Sequence, residues 1–251
     1  MIKLFRRIRK QLLKENRIGK YLLYALGEIV LVVIGILIAL SINNWNENKK
    51  VEKAENIILN DLKAEMESNI EALDNLTNRH RKLLTDAKII ENIQRNLDRL
   101  KSYTPDSIVE ITSNLAGHYF YAKRGILNSI LSSGLINSIK NRKLKNLLGS
   151  LTDIVEEKMA STKYVKDVGD NFMLTNVWPE AIKNSMNNNT GKVDMEAFKK
   201  EIFLIPEFRV AIQGTFIANR ELAIKGEEEL KLIYEQILGL IINEIELKDK
   251  Y

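Results

Sequence analysis

YLLYALGEIVLVVIGILIALSI, residues 21 to 42, holds a single charged side chain, Glu28, among twenty-two residues. A helix rises ~1.5 Å per residue and the hydrocarbon layer of a bilayer is about 30 Å thick, so some 20 apolar residues suffice to cross it. This stretch is read as a membrane span, and the rest of the chain is arranged on one side of it or the other.

The residues flanking the span give it an orientation. Residues 1 to 20 carry Lys3, Arg6, Arg7, Arg9, Lys10, Lys14, Arg17 and Lys20 against Glu15 alone. Of the 38 basic and 33 acidic residues, eight and one lie in this leader, which leaves 30 and 32 for the remainder. The net charge of +5 therefore belongs to the leader, and beyond it the chain is slightly acidic. Lysine and arginine next to a span stay on the cytoplasmic side. The expected organisation is a cytoplasmic leader (1–20), a transmembrane helix (21–42) and an extracytoplasmic helical domain (43–251), in the inner (plasma) membrane with the large domain in the periplasm or its equivalent. Arg6, Arg7 and Lys10 on the inner side, with Tyr21 and Trp45 at the two interfaces, are the expected anchors. A signal peptide cut near Ala39-Leu40-Ser41 is the competing reading. Its apolar region is usually 7 to 15 residues, shorter than this stretch, and Glu28 is foreign to it.

Glu28, Gly35 and Ala39 fall on one face of the span, since offsets of 7 and 11 residues return close to the same angle. Gly35 and Ala39 form a small-xxx-small pair that admits another helix, and a carboxyl inside a membrane costs ~2.5 to 3.5 kcal/mol on insertion scales unless it is paired or near an edge. Three readings stay open: a carboxylate reaching the interface or a basic neighbour, a self-association contact, and a protonatable coupling group.

Past the span, no proline or glycine occurs until Pro105. Leu59, Leu62, Met66, Ile70, Leu73, Leu76 and then Leu83, Ala87, Ile90, Ile93, Leu97 and Leu100 recur in steps of three and four. This predicts an amphipathic helix over 47–101, interrupted near Thr77 to Arg81. Thr104-Pro105-Asp106 starts a second helix, Gly134 ends a short one, and Asn141 caps another that runs to Asn176, where Trp178-Pro179 stops it. Residues 187–192, NNNTGK, are a loop; Asp194 caps a short helix, and Pro206 opens the last long one, to Leu247. The fold class is all-α: one N-terminal transmembrane helix followed by an extended antiparallel helical bundle.

The opening, with GEIVLVVIGILIAL at Gly27 to Leu40 and NNWNE at Asn43 to Glu47, resembles a family of bacterial membrane proteins known only as a domain of unknown function. SSGLINSIKNRKLKNLL, residues 132 to 148, is similar to a second signature of the same family. The resemblance implies one span and a helical domain outside the cytoplasm, and it brings no catalytic or ligand residues.

The sequence holds no cysteine, which removes disulfides and thiolate chemistry. His80 and His118 are the only imidazoles, neither within an E-x-x-H or H-E-x-x-H pattern, so no metal site and no cofactor is expected. Between Arg79 and Arg81, His80 reads as part of a solvated polar face. Glu227 reads as an exposed carboxylate paired with Lys231. No phosphate-cradling loop or nucleophile elbow is present, so an enzyme is not expected. Tyr119, Tyr121 and Arg124 either seal the end of the bundle or offer a partner or ligand surface. Nucleic acid is not an expected partner, because the outer domain is slightly acidic. The leading function is a non-enzymatic membrane-anchored interaction or assembly protein of the bacterial envelope, whose partners are the lipid bilayer and either a second copy or another envelope protein. The alternatives are an extracytoplasmic sensory or ligand-binding domain working through a partner protein, and a Glu28-dependent coupling subunit of a membrane complex.

Overall fold

Helix α1 spans Ile18–Arg95, 78 residues without a break, in a computed structural model that describes residues 18–113, 115 and 117–249. The chain divides into two compact units, Met1–Asn56 and Ile57–Tyr251. In the first, the large apolar side chains of α1 from Leu22 to Ile42 are exposed, and this helix is long and apolar enough to cross a membrane.

The interruption expected near Thr77 to Arg81 is absent. Thr77 Oγ1 donates to the Leu73 carbonyl four residues back (2.8 Å), which satisfies its hydroxyl without leaving the helix, and Asn78, Arg79 and Arg81 turn to solvent. The helix ends six residues earlier than its apolar pattern suggests. Asn96 has an extended backbone, and its side chain accepts from Asp98 N–H (3.0 Å) to cap the 3₁₀ turn Leu97–Ser102.

The second unit continues with α2 (Pro105–Ser113), α3 (Gly125–Ser133), a 3₁₀ turn (Leu135–Ser138), α4 (Arg142–Lys158), α5 (Ala160–Phe172), α6 (Trp178–Asn184), α7 (Met195–Leu204), α8 (Pro206–Ala211) and α9 (Asn219–Asp249). Thr104, Asn141 and Asp194 act as the helix caps their positions suggest, and Gly134 ends α3 in the left-handed region at φ 74°. Trp178-Pro179, by contrast, does not stop the helix. Proline lacks the N–H and crowds the carbonyl four residues back, and the wide π turn Met173–Val177 makes room for it, so the helical path carries on into α6. A second π turn, Ile212–Ala218, joins α8 to α9 in the same way. Among the described residues the only β pairing is an isolated bridge, Met186 with Val193, which closes the 187–192 loop around Gly191 at φ 65°.

Helix α9 runs antiparallel to α1. The ion pairs Asp74–Lys231 (2.6 Å), Arg81–Glu228 (2.6 Å) and Lys88–Glu221 (2.8 Å) match each advance along α1 with a retreat along α9. Exposed pairs of this kind contribute about 0–1 kcal/mol each, so they report the register more than they hold it. The holding is done by two apolar clusters. One joins Leu59, Leu62, Met66 and Leu73 of α1 to Leu127, Leu148 and Ile237. The other joins Ala87 and Ile90 to Val177, Phe208 and Phe216. Each fully buried side chain contributes roughly 1.5–3 kcal/mol. Tyr164 and Leu222 are exposed, at 47% and 56%.

Candidate functional site

The buried stripe of α1 steps through Leu59, Leu62, Met66, Asn69, Leu73, Leu76, His80, Leu83 and Ala87, alternating three and four residues. That of α9 and the turn before it steps through Phe216, Arg220, Ala223, Glu227, Leu230, Tyr234, Ile237 and Ile241 in the same rhythm. Polar side chains thus occupy core positions, and His80, Arg220 and Glu227 meet between the two apolar clusters.

Glu227 is fully buried, and its Oε1 accepts from His80 Nδ1–H (2.7 Å) and from Thr162 Oγ1–H (2.8 Å) of α5. His80 is turned outward by neither of its arginine neighbours, and the pairing of Glu227 with Lys231 does not form: Lys231 binds Asp74 and Glu235 instead. On its other side, the His80 ring lies against the His118 peptide, with Nε2 3.1 Å from the carbonyl oxygen and 3.4 Å from the nitrogen. Arg220 donates to the Leu115 carbonyl. Burial pulls its guanidinium down to about 10, against the opposing pull of the Glu227 charge, so it remains a cation at neutral pH.

Two glycines permit these approaches. Gly117 has φ 94°, and a Cβ there would stand 2.9 Å from Arg220 and 3.3 Å from the His80 ring. At Gly226 a Cβ would overlap the Lys158 carbonyl, at the break between α4 and α5, so only glycine lets Glu227 come down beside Thr162.

Further along α1, Asn69 grips Lys123 in both directions, its Oδ1 accepting from the backbone N–H and its amide donating to the carbonyl, both at 2.8 Å. Glu65 accepts from Ile126 N–H (2.7 Å) and Leu127 N–H (3.1 Å), capping α3 from another helix. Three side chains on one face of α1 therefore fasten the backbone of the segment from His118 to Leu127.

The opposite side of that segment lines an open groove of ≈ 690 Å³, which brings Tyr119, Tyr121 and Arg124 together with Met159, Lys163 and Tyr164. The rings of Tyr119 and Tyr121 meet edge to face at 5.1 Å, and Tyr121 is 78% exposed. Burial raises the Tyr119 hydroxyl above its ordinary value, with the Tyr121 phenol adding to the effect. Nearby, Tyr234 is fully buried with its hydroxyl unbonded to any described residue, and burial pushes it above the ordinary phenol range.

The residues of the apolar stretch of α1 are placed differently. Gly35 and Ala39 are exposed on α1, Glu28 is partly so, and a Cβ on Gly35 would meet nothing within 4 Å. Trp45 is exposed, with Lys49 Nζ 4.2 Å from its ring centre. Tyr21 lies in α1, whereas Arg6, Arg7 and Lys10 fall outside the described residues. No group of three or more metal-ligating side chains occurs among the described residues.

A family model described as a family of unknown function, DUF6090, matches residues 28–189, from Glu28 in the exposed apolar stretch of α1 through the groove to the 187–192 loop. Neither a curated protein nor a solved structure matches the chain.

Proposed function

We propose that this chain, which belongs to the family of unknown function DUF6090, is a membrane-anchored interaction module of the bacterial envelope with no catalytic activity of its own. In this reading residues 21–42 cross the inner membrane, residues 1–20 stay in the cytoplasm, and the helical unit works on the far side against a second copy or another envelope protein. The observation that carries it is the run of exposed apolar side chains from Leu22 to Ile42 on a helix that continues unbroken to Arg95. Such a surface needs hydrocarbon around it, because an apolar patch of this length in water drives aggregation. The non-catalytic reading draws on the buried charges: His80, Glu227 and Arg220 are sealed from solvent and bonded to one another's elements, so no substrate reaches them.

The test exploits the absence of cysteine, since every single-cysteine variant is then uniquely labelled. The full-length protein is expected in the membrane fraction after an alkaline wash, and added protease is expected to cut residues beyond Trp45 from outside. Disulfide cross-linking should be stronger with cysteine at 35 or 39 than at 30 or 37 on the opposite face. Recovery of intact chain in the soluble fraction overturns the anchor, and equal cross-linking on both faces removes self-association through the span.

The groove beside Tyr121 favours a second reading, a sensory or ligand-binding domain that acts through a partner protein. A small molecule that binds the outer unit and protects Tyr119 and Tyr121 from iodination would support it over assembly.

A further inference from the structure

The segment from His118 to Lys123 is an open edge of backbone. His118 is held by His80, and Lys123 by Asn69, eleven residues apart on α1. Along a helix that separation is ~16 Å. Five residue steps must cover it, about 3.3 Å each, which is the rise of a β-strand. The side chains agree: Phe120 is buried, whereas Tyr119 and Tyr121, two apart, share the other face and touch. The N–H and C=O groups of Tyr119, Phe120, Tyr121 and Ala122 make no hydrogen bond to any described residue. A fully extended stretch with free backbone groups, pinned at both ends and bordering a groove, is the arrangement onto which another chain adds as a strand.

We propose that this edge takes up an extended segment of a partner polypeptide, which pairs with the backbone of Tyr119–Ala122 and lies in the groove toward Met159 and Tyr164. The occupant is a polypeptide because only a peptide backbone offers donors and acceptors at the strand repeat. Arg124 and Lys163, which line the groove and have no ion-pair partner among the described residues, call for one acidic side chain on it. Glu156 and Asp167 on the same wall repel a run of them. The flat rings of Tyr119 and Tyr121 form a hydrophobic shelf with little conformational entropy to lose.

This deepens the interaction-module reading and rests on it, and its test is independent of the membrane assays. A phage-displayed library of random dodecapeptides is panned on the full-length protein in lipid nanodiscs, and an enriched sequence is synthesised plain and with single N-methylated amides. Enriched peptides are expected to carry an acidic residue. N-methylation at alternate positions should weaken binding about tenfold, the effect of losing one hydrogen bond, and have little effect at the positions between. Bound peptide should slow amide hydrogen exchange at alternate residues of Tyr119–Ala122 and leave exchange along α1 unchanged. Tyr121→Ala should fold normally and bind about tenfold more weakly. The proposal is overturned if no peptide is enriched, if enriched peptides bind Tyr121→Ala unchanged, or if these four amides are already protected in the free protein. Any of those results leaves membrane anchoring and cross-linking through the span as they were, so the two readings fail separately.

Discussion

The segment from Gly117 to Arg124 has two unlike sides. Toward α1 it meets His80 and Asn69, which bond its backbone at both ends, with Arg220 on Leu115 just before it. Toward α4 and α5 it meets an open groove and an aromatic ring that is 78% exposed. Buried polar groups must find partners or cost several kcal/mol, so the inner side is fixed; the outer side is solvated and free to exchange water for a partner. The same eight residues thus separate what stabilises the unit from what it can present.

If that division is right, damage on the inner side costs stability, and Glu227 is where it costs most. Glu227→Ala leaves the His80 N–H, the Thr162 hydroxyl and the Arg220 charge facing an apolar space, a loss of roughly 3–5 kcal/mol in urea unfolding of the detergent-solubilised chain. Gly226→Ala is next, about 1–3 kcal/mol, because its methyl group overlaps a backbone carbonyl that cannot swing aside. Gly239→Ala on the same helix is the control: nothing lies near it, and alanine should stabilise α9 by up to ~1 kcal/mol. Equal effects at 226 and 239 would show that the close approach to Lys158 is not needed.

Much of this division was readable in the chain's own rhythm. The helix-capping Thr104, Asn141 and Asp194 and the glycine at 134 act locally, within a turn, and each is where residue chemistry places it. The polar layer is not local. Reading His80 from its neighbours Arg79 and Arg81 put it in solvent, yet Leu76 and Leu83 bracket it at steps of four and three, so the stripe itself places it inside. Glu227 between Ala223 and Leu230 follows the same rule. What no periodicity could supply is the partner, because the His80–Glu227 bond joins residues 147 apart and exists only once α9 has folded back on α1. The π turn before Pro179 was equally hidden, since one extra residue in a turn changes no residue type.

Asn69→Ala tests the clamp alone. It removes two hydrogen bonds to a half-exposed peptide, so the expected cost is about 1–2 kcal/mol, and exchange at Lys123 should quicken while the membrane-fraction assay stays unchanged. Tyr121→Ala, on the open side, should move stability by no more than ~0.5 kcal/mol, as for surface positions in general. A larger loss would mean that the ring supports the segment and that the two sides are coupled.

The finest cut uses His118, whose peptide belongs to the clamped side and whose imidazole is exposed. Desolvation holds the ring below its ordinary value, with Arg79, His80 and Arg220 adding to it and Asp170 opposing. A histidine that binds its proton less tightly in the folded than in the unfolded chain contributes nothing adverse above about pH 6.5, where both are neutral. As pH falls below that, the unfolded chain takes up the proton first, and stability declines until the folded ring is protonated as well. The melting temperature should therefore drop between pH 7.5 and 5, and His118→Gln should remove a small part of the drop. Because solvent screens the exposed ring, that part should be smaller than the Asn69→Ala effect. A contribution as large as that of Asn69 would place the ring inside the polar layer with its own peptide, and the boundary between the fixed and the open side would have to be drawn one residue later, at Tyr119.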